Sequence, residues 1–310
     1  MALSTTSSGP WSRPSLPNGS PPSSPAPDPV TVRSRAQRLL EQAAIDLEAG
    51  GVSSPRHDAE MLLSHVTGVP RMMLLGNAKP NERQVQDFEA LVRARASRIP
   101  LQHLIGSAAF RFIDVEVGPG VFVPRPETEV LAGWAIDHAK TVPSPVVVEL
   151  CAGAGAISLS VVHEVPGAVV HAVELDEPAY EWAQRNLAYS GVDLRLGDMA
   201  DAFADLNGTV DVVVANPPYI PLDAWESVAP EARDHDPALA LWSGDDGLDA
   251  MRVVEQVAWR LLKPGGVVGA EHADVQGESA PQVFTARWDA VRDNADLAER
   301  PRYVTAVKPR

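Results

Sequence analysis

The 310-residue chain carries 26 Lys+Arg against 41 Asp+Glu, a formal net charge of −15, and a chain this acidic is a poor general binder of a phosphate backbone. Its single cysteine, Cys151, excludes an intrachain disulfide and a thiolate metal cluster, which fits a reducing cytoplasm. No apolar stretch approaches the ~20 residues of a membrane-spanning helix, and the length suits one large domain with a smaller one, so a cytoplasmic monomer free of membrane and of DNA is expected.

Residues 1–30 contain eight prolines and almost no large aliphatic side chains. Such a segment buries too little apolar surface to offset its ordering entropy, so a disordered tail is expected. It also lacks the apolar core of a signal peptide, and the working chain is expected to begin near Val30–Val32. From 31 to 98 the pattern is helical. Leu39, Leu40, Ala43, Ala44 and Leu47 share one face and Gly50-Gly51 ends it. Ala59, Leu62, Leu63 and Val66 repeat the pattern up to Gly68, and Asn81 is placed to cap a third helix carrying Val85, Phe88, Leu91 and Val92. This unit shows no chemistry of its own.

The period changes over 99–125. Phe110 to Val117 alternates as a strand does, Gly118-Pro119-Gly120 reads as a turn, and Val121-Phe122-Val123 as the return strand of a hairpin linking two domains. Over 126–310 strands and helices alternate. Strands are predicted at Val146–Leu150, Val169–Val173, Leu194–Leu196, Val210–Ala215, Val267–Ala270 and Tyr303–Val307. Helices are predicted at Ala156–Val162, Glu177–Ala188, Asp249–Leu262 and Pro281–Trp288. That rhythm means a doubly wound, mostly parallel sheet.

Two features of this region carry chemistry. The first predicted strand runs into Cys151-Ala152-Gly153-Ala154-Gly155, where glycines allow a tight turn and close approach of a ligand. No Lys-Ser/Thr pair follows, which argues against a nucleoside triphosphate. The next strand ends at Glu174, placed to accept from ribose hydroxyls. The strand after that ends at Asp198-Met199, a carboxylate for an adenine amine and a thioether for the purine face. An adenosine cofactor without pyrophosphate, S-adenosylmethionine, fits better than NAD because Cys151 occupies the first position of a G-x-G-x-x-G run. Asp176 is read as an ordinary exposed charge.

The second feature is Asn216-Pro217-Pro218-Tyr219 after the apolar run Val210–Ala215. Two prolines stiffen the turn, and open α/β sheets hold ligands at the carboxyl ends of their strands. The Asn216 side chain and the Pro217 carbonyl would be fixed acceptors beside the Tyr219 ring. They suit a planar group bearing NH2, and on these residues alone adenine and a carboxamide fit equally.

Together with Val123-Pro124-Arg125-Pro126-Glu127-Thr128-Glu129, these motifs resemble the peptide chain release factor glutamine N5-methyltransferases (the PrmC/HemK family). The Asn-Pro-Pro-Tyr motif is shared with adenine methyltransferases, whereas the Pro-Arg-Pro-Glu-Thr-Glu stretch is far more specific. Ser54 to Glu60, Gly106 to Phe110, Glu231 to Leu241, Gly244 to Asp249 and Leu262 to Gly266 also match, so the resemblance spans roughly 33–308. Cys151 stands where the family usually has glycine, Glu149 and Glu174 where it usually has aspartate, and Met199 where some members have an aromatic ring.

The resemblance implies a class I S-adenosylmethionine-dependent methyltransferase fold, a seven-stranded, mostly parallel sheet, with a small N-terminal helical domain that helps dock the substrate and a linking β-hairpin. It implies transfer of a methyl group to the glutamine of the Gly-Gly-Gln loop of class I release factors, supporting translation termination. Residues 151–155 would face the methionine part of the cofactor, Glu174, Asp198 and Met199 its adenosine, and Asn216 would border the cofactor as well as the substrate. Asn216, Pro217, Pro218, Tyr219 and Phe110 would hold the substrate amide, Asn216 and Pro217 as acceptors of its N–H groups and Tyr219 and Phe110 as walls. No metal is called for. Arg125 and Glu127 are read as ordering their segment as readily as touching substrate. The rival readings are an adenine N6-methyltransferase of DNA or RNA (or a methyltransferase of another protein's glutamine), a catalytically silent adenosine-binding module and a nicotinamide oxidoreductase. The acidic balance disfavours the first, intact Asn216, Glu174 and turn glycines the second, and the incomplete glycine pattern the third.

Overall fold

A computed structural model describes residues 34–310; the tail expected at 1–30 and the expected start near Val30–Val32 lie outside the described residues. The N-terminal helices span Arg35–Ala49, Pro55–Thr67 and Glu82–Ala96. Ser34 accepts from the Gln37 amide at the first helix, and Asn81 and Gln84 form a reciprocal capping box at the third. The apolar stripes meet in one core of Leu40, Leu47, Leu62, Leu63, Phe88 and Val92.

The hairpin pairs β1 (Ser107–Phe110) with β2 (Ile113–Glu116), antiparallel, with Phe110 opposite Ile113. Its turn is therefore Arg111-Phe112, a correction to the turn expected at Gly118-Pro119-Gly120. Arg111 takes a left-handed φ of 51°, and its guanidinium forks onto Glu164 at 2.6 and 2.8 Å. Residues 118–123 form no strand. They run as a partly buried connection across the helix Glu177–Leu187, where Trp182 Nε1 donates to the exposed Pro119 carbonyl at 3.2 Å.

The large sheet comprises β3 (Val146–Leu150), β4 (Val169–Glu174), β5 (Asp193–Leu196), β6 (Val210–Ala215), β7 (Leu262–Glu271), β8 (Asp289–Ala295) and β9 (Pro301–Val307), in the order β5-β4-β3-β6-β7-β9-β8. β5 to β7 are parallel neighbours, and β9 runs antiparallel to both β7 and β8. Both faces are covered, which is why β6, apart from Asp211, reads as an apolar run rather than an alternating one. Val212 and Val214 join the core under the helices Thr128–Ala139 and Ala156–Glu164, while Val210, Val213 and Ala215 join the core under Asp249–Leu261.

Two expectations near the C-terminus need correction. The helix expected over Pro281–Trp288 is a single turn, Ser279–Gln282. Phe284 and Trp288 have helical spacing but pack edge to face, 5.7 Å apart, in the turns that follow. β8 was not anticipated, because it is an edge strand exposed along most of its length and lacks an apolar alternation.

Candidate active site

After β3, β4 and β5 have been laid down on one side, the chain returns to place β6 on the other side of β3. Leu150 and Ala215 are paired neighbours, so the Cys151–Gly155 turn and the Asn216–Tyr219 turn leave the sheet side by side. This is the switch point of an open α/β sheet, where a crevice forms. A cavity of about 1080 Å³ opens there, reaching from Asp198 and Met199 past Asn216 to Arg95 and Arg98 of the helical unit.

Cys151, Ala152, Gly153, Ala154, Glu174, Asp198, Met199, Asn216, Pro218, Tyr219 and Phe110 all line it. Gly155 and Pro217 do not. A Cβ on Gly155 would lie 3.0 Å from Leu187 Cδ1 at a φ of 81°, so this glycine lets the helix Glu177–Leu187 close on the turn. Pro217 is buried. Gly153 is different: its φ is 55°, and nothing lies within 4 Å of where a Cβ would be.

Cys151 also has a left-handed φ, 58°. That conformation favours glycine, and a cysteine holds it at a cost of about 1 kcal/mol. Its Sγ lies 3.6 Å from Met199 Sδ. Burial pushes the thiol pKa up, and Glu174, Glu149 and Asp198 push it further, so it stays protonated. Glu174 and Asp198, the acids that end the next two strands, disfavour a pyrophosphate beside the turn and favour a cation.

Glu174 ends β4 and braces the turn. Its Oε2 accepts from Gly153 N at 2.7 Å, and its Oε1 accepts from Leu175 N and Asp176 N at 2.8 and 2.9 Å. Burial raises its pKa against the pull of these amides. An ionised carboxylate has about four acceptor positions, so one on Oε2 is left for a ribose hydroxyl. Glu149, fully buried, accepts from both Ser158 N and Ser158 Oγ at the start of the helix Ala156–Glu164, and burial lifts its carboxyl to about 8. Asp198 is exposed at the rim, its Oδ1 accepting from Ala200 N at 2.9 Å. An acid with a spare acceptor, an open glycine and a thioether wall on three successive strand ends fit an adenosyl sulfonium.

The Asn216 turn is held from several sides. Asn216 Nδ2 donates to Thr128 Oγ1 at 3.2 Å, which leaves Oδ1 as the carboxamide's free acceptor. The Tyr219 hydroxyl donates to Glu271 Oε1 at 3.3 Å, and burial, then Glu271, raises its pKa. Gln276 Nε2 donates to both the Tyr219 and Asp246 carbonyls, at 3.0 and 3.2 Å. A Cβ on Gly247, at a φ of 75°, would meet the Tyr219 carbonyl at 2.3 Å, so only glycine lets the 244–249 loop press against the turn.

Arg125 bonds Asp236 at 2.7 Å and lies over the Phe122 ring, so it orders its segment. Thr128 and Glu271 were missed by sequence reasoning. Thr128 lies inside the Pro124–Glu129 stretch, and Glu271, like Glu174, is an acid that ends an apolar strand at the sheet's carboxyl edge.

The helical unit is joined to this site by ions. Arg95, buried, donates to Asp58 at 2.8 Å and to Glu231 at 2.8 Å, and Arg98 forks onto Glu231. Against the desolvation of burial, Arg98 and Arg95 pull the Glu231 carboxyl down to about 2.

Residues 38–106 match the PrmC N-terminal domain family and residues 128–229 the methyltransferase small domain family. The chain is 54% identical over 277 residues to the release factor glutamine methyltransferase of Streptomyces coelicolor, covering 87% of this chain and 96% of that protein. It is 44% identical over 279 residues to the enzyme of the same name from Mycolicibacterium smegmatis, covering 88% and 98%. A 4-amino-L-phenylalanine/4-methylamino-L-phenylalanine methyltransferase of Streptomyces pristinaespiralis is 39% identical over 264 residues, covering 81% and 88%. Among solved structures, the protein-(glutamine-N5) methyltransferase of Alicyclobacillus acidocaldarius is 26% identical, with a TM-score of 0.41 over 63% of this chain and 99% of that one.

Proposed function

This chain belongs to the release factor glutamine methyltransferase family, and from that membership we propose how its carboxyl-edge cavity performs the reaction. The enzyme is an S-adenosylmethionine-dependent protein glutamine methyltransferase. The proposed acceptor is the glutamine of the Gly-Gly-Gln loop of class I release factors, methylated on its side-chain nitrogen by a cytoplasmic monomer. The proposed division of labour is a helical docking unit over 31–98, a hairpin linker over 99–125 and the methyltransferase domain over 126–310.

When bound, S-adenosylmethionine supplies an electrophilic methyl group on a sulfonium. Residues 151–154 would hold its methionine part, Glu174 Oε2 its ribose, and Asp198 and Met199 its adenine. An amide nitrogen is a weak nucleophile because its lone pair is delocalised into the carbonyl, so the protein must position it and favour positive charge on it. Asn216 Oδ1 accepts one N–H of the glutamine amide, with the Pro217 carbonyl as the second acceptor. Asn216 carries the larger share, since Pro217 is buried outside the cavity lining. Fixed acceptors stabilise the charge that develops on nitrogen. Tyr219, Pro218 and Phe110 confine the amide plane, and the product amide loses its extra proton after transfer.

The observation that carries this reading is the free Oδ1 of Asn216, on a turn adjacent to the glycine turn across the sheet's switch point. The test is to incubate the enzyme with methyl-labelled cofactor and, in separate reactions, a release factor and duplex DNA. Peptide mass spectrometry should find the label on the Gly-Gly-Gln glutamine; label on DNA alone would refute the assignment.

A further inference from the structure

Glu271 is a buried carboxylate that the mechanism above does not use. Its Oε1 accepts from the Tyr219 hydroxyl, while its Oε2 is buried with no hydrogen-bond partner closed upon it. The Thr128 hydroxyl is near enough to lower the acid's pKa as a donor does. Thr128 Oγ1 in turn accepts from Asn216 Nδ2. Three side chains from three separate elements thus gather here: Glu271 at the end of β7 with an unpaired Oε2, Thr128 at the start of a helix, and Asn216 after β6, bonded to Thr128.

We propose that Glu271 is a positioning residue: through Thr128 it sets which end of the Asn216 carboxamide faces the substrate. This rests on the assignment of Asn216 as the acceptor for the glutamine amide. The two ends of a carboxamide have nearly the same shape, so shape alone does not orient it. A carboxylate breaks that symmetry because it only accepts. In the proposed series the Thr128 hydroxyl proton closes on the otherwise unpaired Oε2 of ionised Glu271. Thr128 Oγ1 is then left only with lone pairs and must accept, which it does from the Asn216 NH2 group. Asn216 Oδ1 is turned away from Thr128, toward the cavity, where an acceptor is needed. A neutral, donating group at 271 reverses the series: it donates to Thr128, whose proton turns to Asn216, and the NH2 group then faces the substrate amide. Through Oε1 the same carboxylate holds Tyr219, so both ends of the turn depend on it.

The charge state of Glu271 is poised for this role. Burial raises its carboxyl to about 7, opposed by Thr128, Arg302 and Tyr219 and assisted by Glu127. Arg302 on β9 and Glu127 beside Thr128 are the charged groups facing it, and His272 follows it in the chain.

Glu271→Gln is the direct test, with Thr128→Val, Thr128→Ser and the double variant Glu271→Gln/Thr128→Val beside it. Misorienting the acceptor should lower kcat about 100-fold in Glu271→Gln and in Thr128→Val, with the cofactor Kd, read by calorimetry, within about twofold of the wild type. Thr128→Ser should recover most of the rate lost in Thr128→Val. The double variant should be no slower than the slower single one, because both break the same series. Wild-type kcat should fall on acidification through about pH 7, and that fall should be absent in Glu271→Gln. Near-normal kcat in Glu271→Gln, or losses that multiply in the double variant, overturns the proposal. If Glu271→Gln fails to fold, the Thr128→Val and Thr128→Ser pair decides it: a rate not restored by serine overturns it. A wild-type enzyme that labels no glutamine would instead overturn the substrate assignment on which this rests.

Discussion

Glu231 receives Arg98 in a two-point fork, Nε to Oε1 at 2.8 Å and Nη2 to Oε2 at 2.5 Å. Arg98 follows the last long helix of the N-terminal unit, and Glu231 lies between the Asn216 turn and the helix Asp249–Leu261. Arg95 adds a second cation to the same carboxylate and carries Asp58 with it. One acid therefore fixes the helical unit against the segment that walls the cavity.

Glu231→Ala would leave Arg95 and Arg98 without their shared anion. Removing one member of a partly buried ion network costs about 1 to 3 kcal/mol. Deuterium exchange should accelerate across 82–105, and KM for the release factor should rise while the cofactor Kd stays unchanged. The lowered folded pKa of Glu231, about 2, also sets a pH window. Its contribution is present above the ordinary carboxylate pKa and is lost as pH falls from there toward 2. Glu231→Gln should therefore resist acid better than the wild type relative to its own neutral-pH stability, as read by urea unfolding from pH 6 to pH 3.

Cys151 holds a backbone conformation suited to glycine, with a φ of 58°. Cys151→Gly should bind S-adenosylmethionine at least as tightly as the wild type and remain folded. Cys151→Val places a β-branched side chain at positive φ and should destabilise by about 2 kcal/mol. Calorimetry and denaturant unfolding measure the two effects separately. Weaker cofactor binding in Cys151→Gly than in Cys151→Val would show that the thiol itself contributes to the site.

Glu149 has a folded pKa of about 8, raised by burial and only partly offset by its two bonds from Ser158. An acid whose folded pKa lies above its unfolded value stabilises the fold fully below the unfolded pKa. That contribution is lost as pH rises through the folded value. Stability should thus decline between about pH 5 and pH 8 on account of this group. Glu149→Gln keeps an acceptor for Ser158 without the titration. Relative to the wild type, it should gain about 3 to 4 kcal/mol between those pH values; a constant difference across that range would count against the assignment.

The parts of this site that were legible in the sequence are those whose chemistry is local. Gly153 and Asn216-Pro217-Pro218-Tyr219 announce themselves because a left-handed turn and a stiff turn need particular residues wherever they occur. Glu174 was legible from its strand end, although its bonds to Gly153 N and Asp176 N were not. Thr128 and Glu271 were hidden because each acts through another side chain brought close only by the parallel sheet and the helix packed on it. The hairpin turn did leave a trace: the apolar phase changes from even positions at Phe110 and Phe112 to odd ones at Ile113, Val115 and Val117. Phe112 is 74% exposed at that turn, and reading one strand through it concealed the break. β8 left almost none, because an exposed edge strand has little apolar pattern to show.

The central claim is that the Asn216 carboxamide serves chiefly to hold the substrate's amide, whatever contact it also makes with the cofactor. Its most direct test is Asn216→Ala, assayed for methylation of a release factor and, by calorimetry, for binding of S-adenosylmethionine. The account predicts a loss of kcat of about 100-fold to 1,000-fold, as for removal of one transition-state hydrogen-bond partner, with a cofactor Kd within about threefold of the wild type. An Asn216→Ala enzyme that methylates the Gly-Gly-Gln glutamine at close to the wild-type rate, or one whose loss is explained entirely by failure to bind the cofactor, would contradict it.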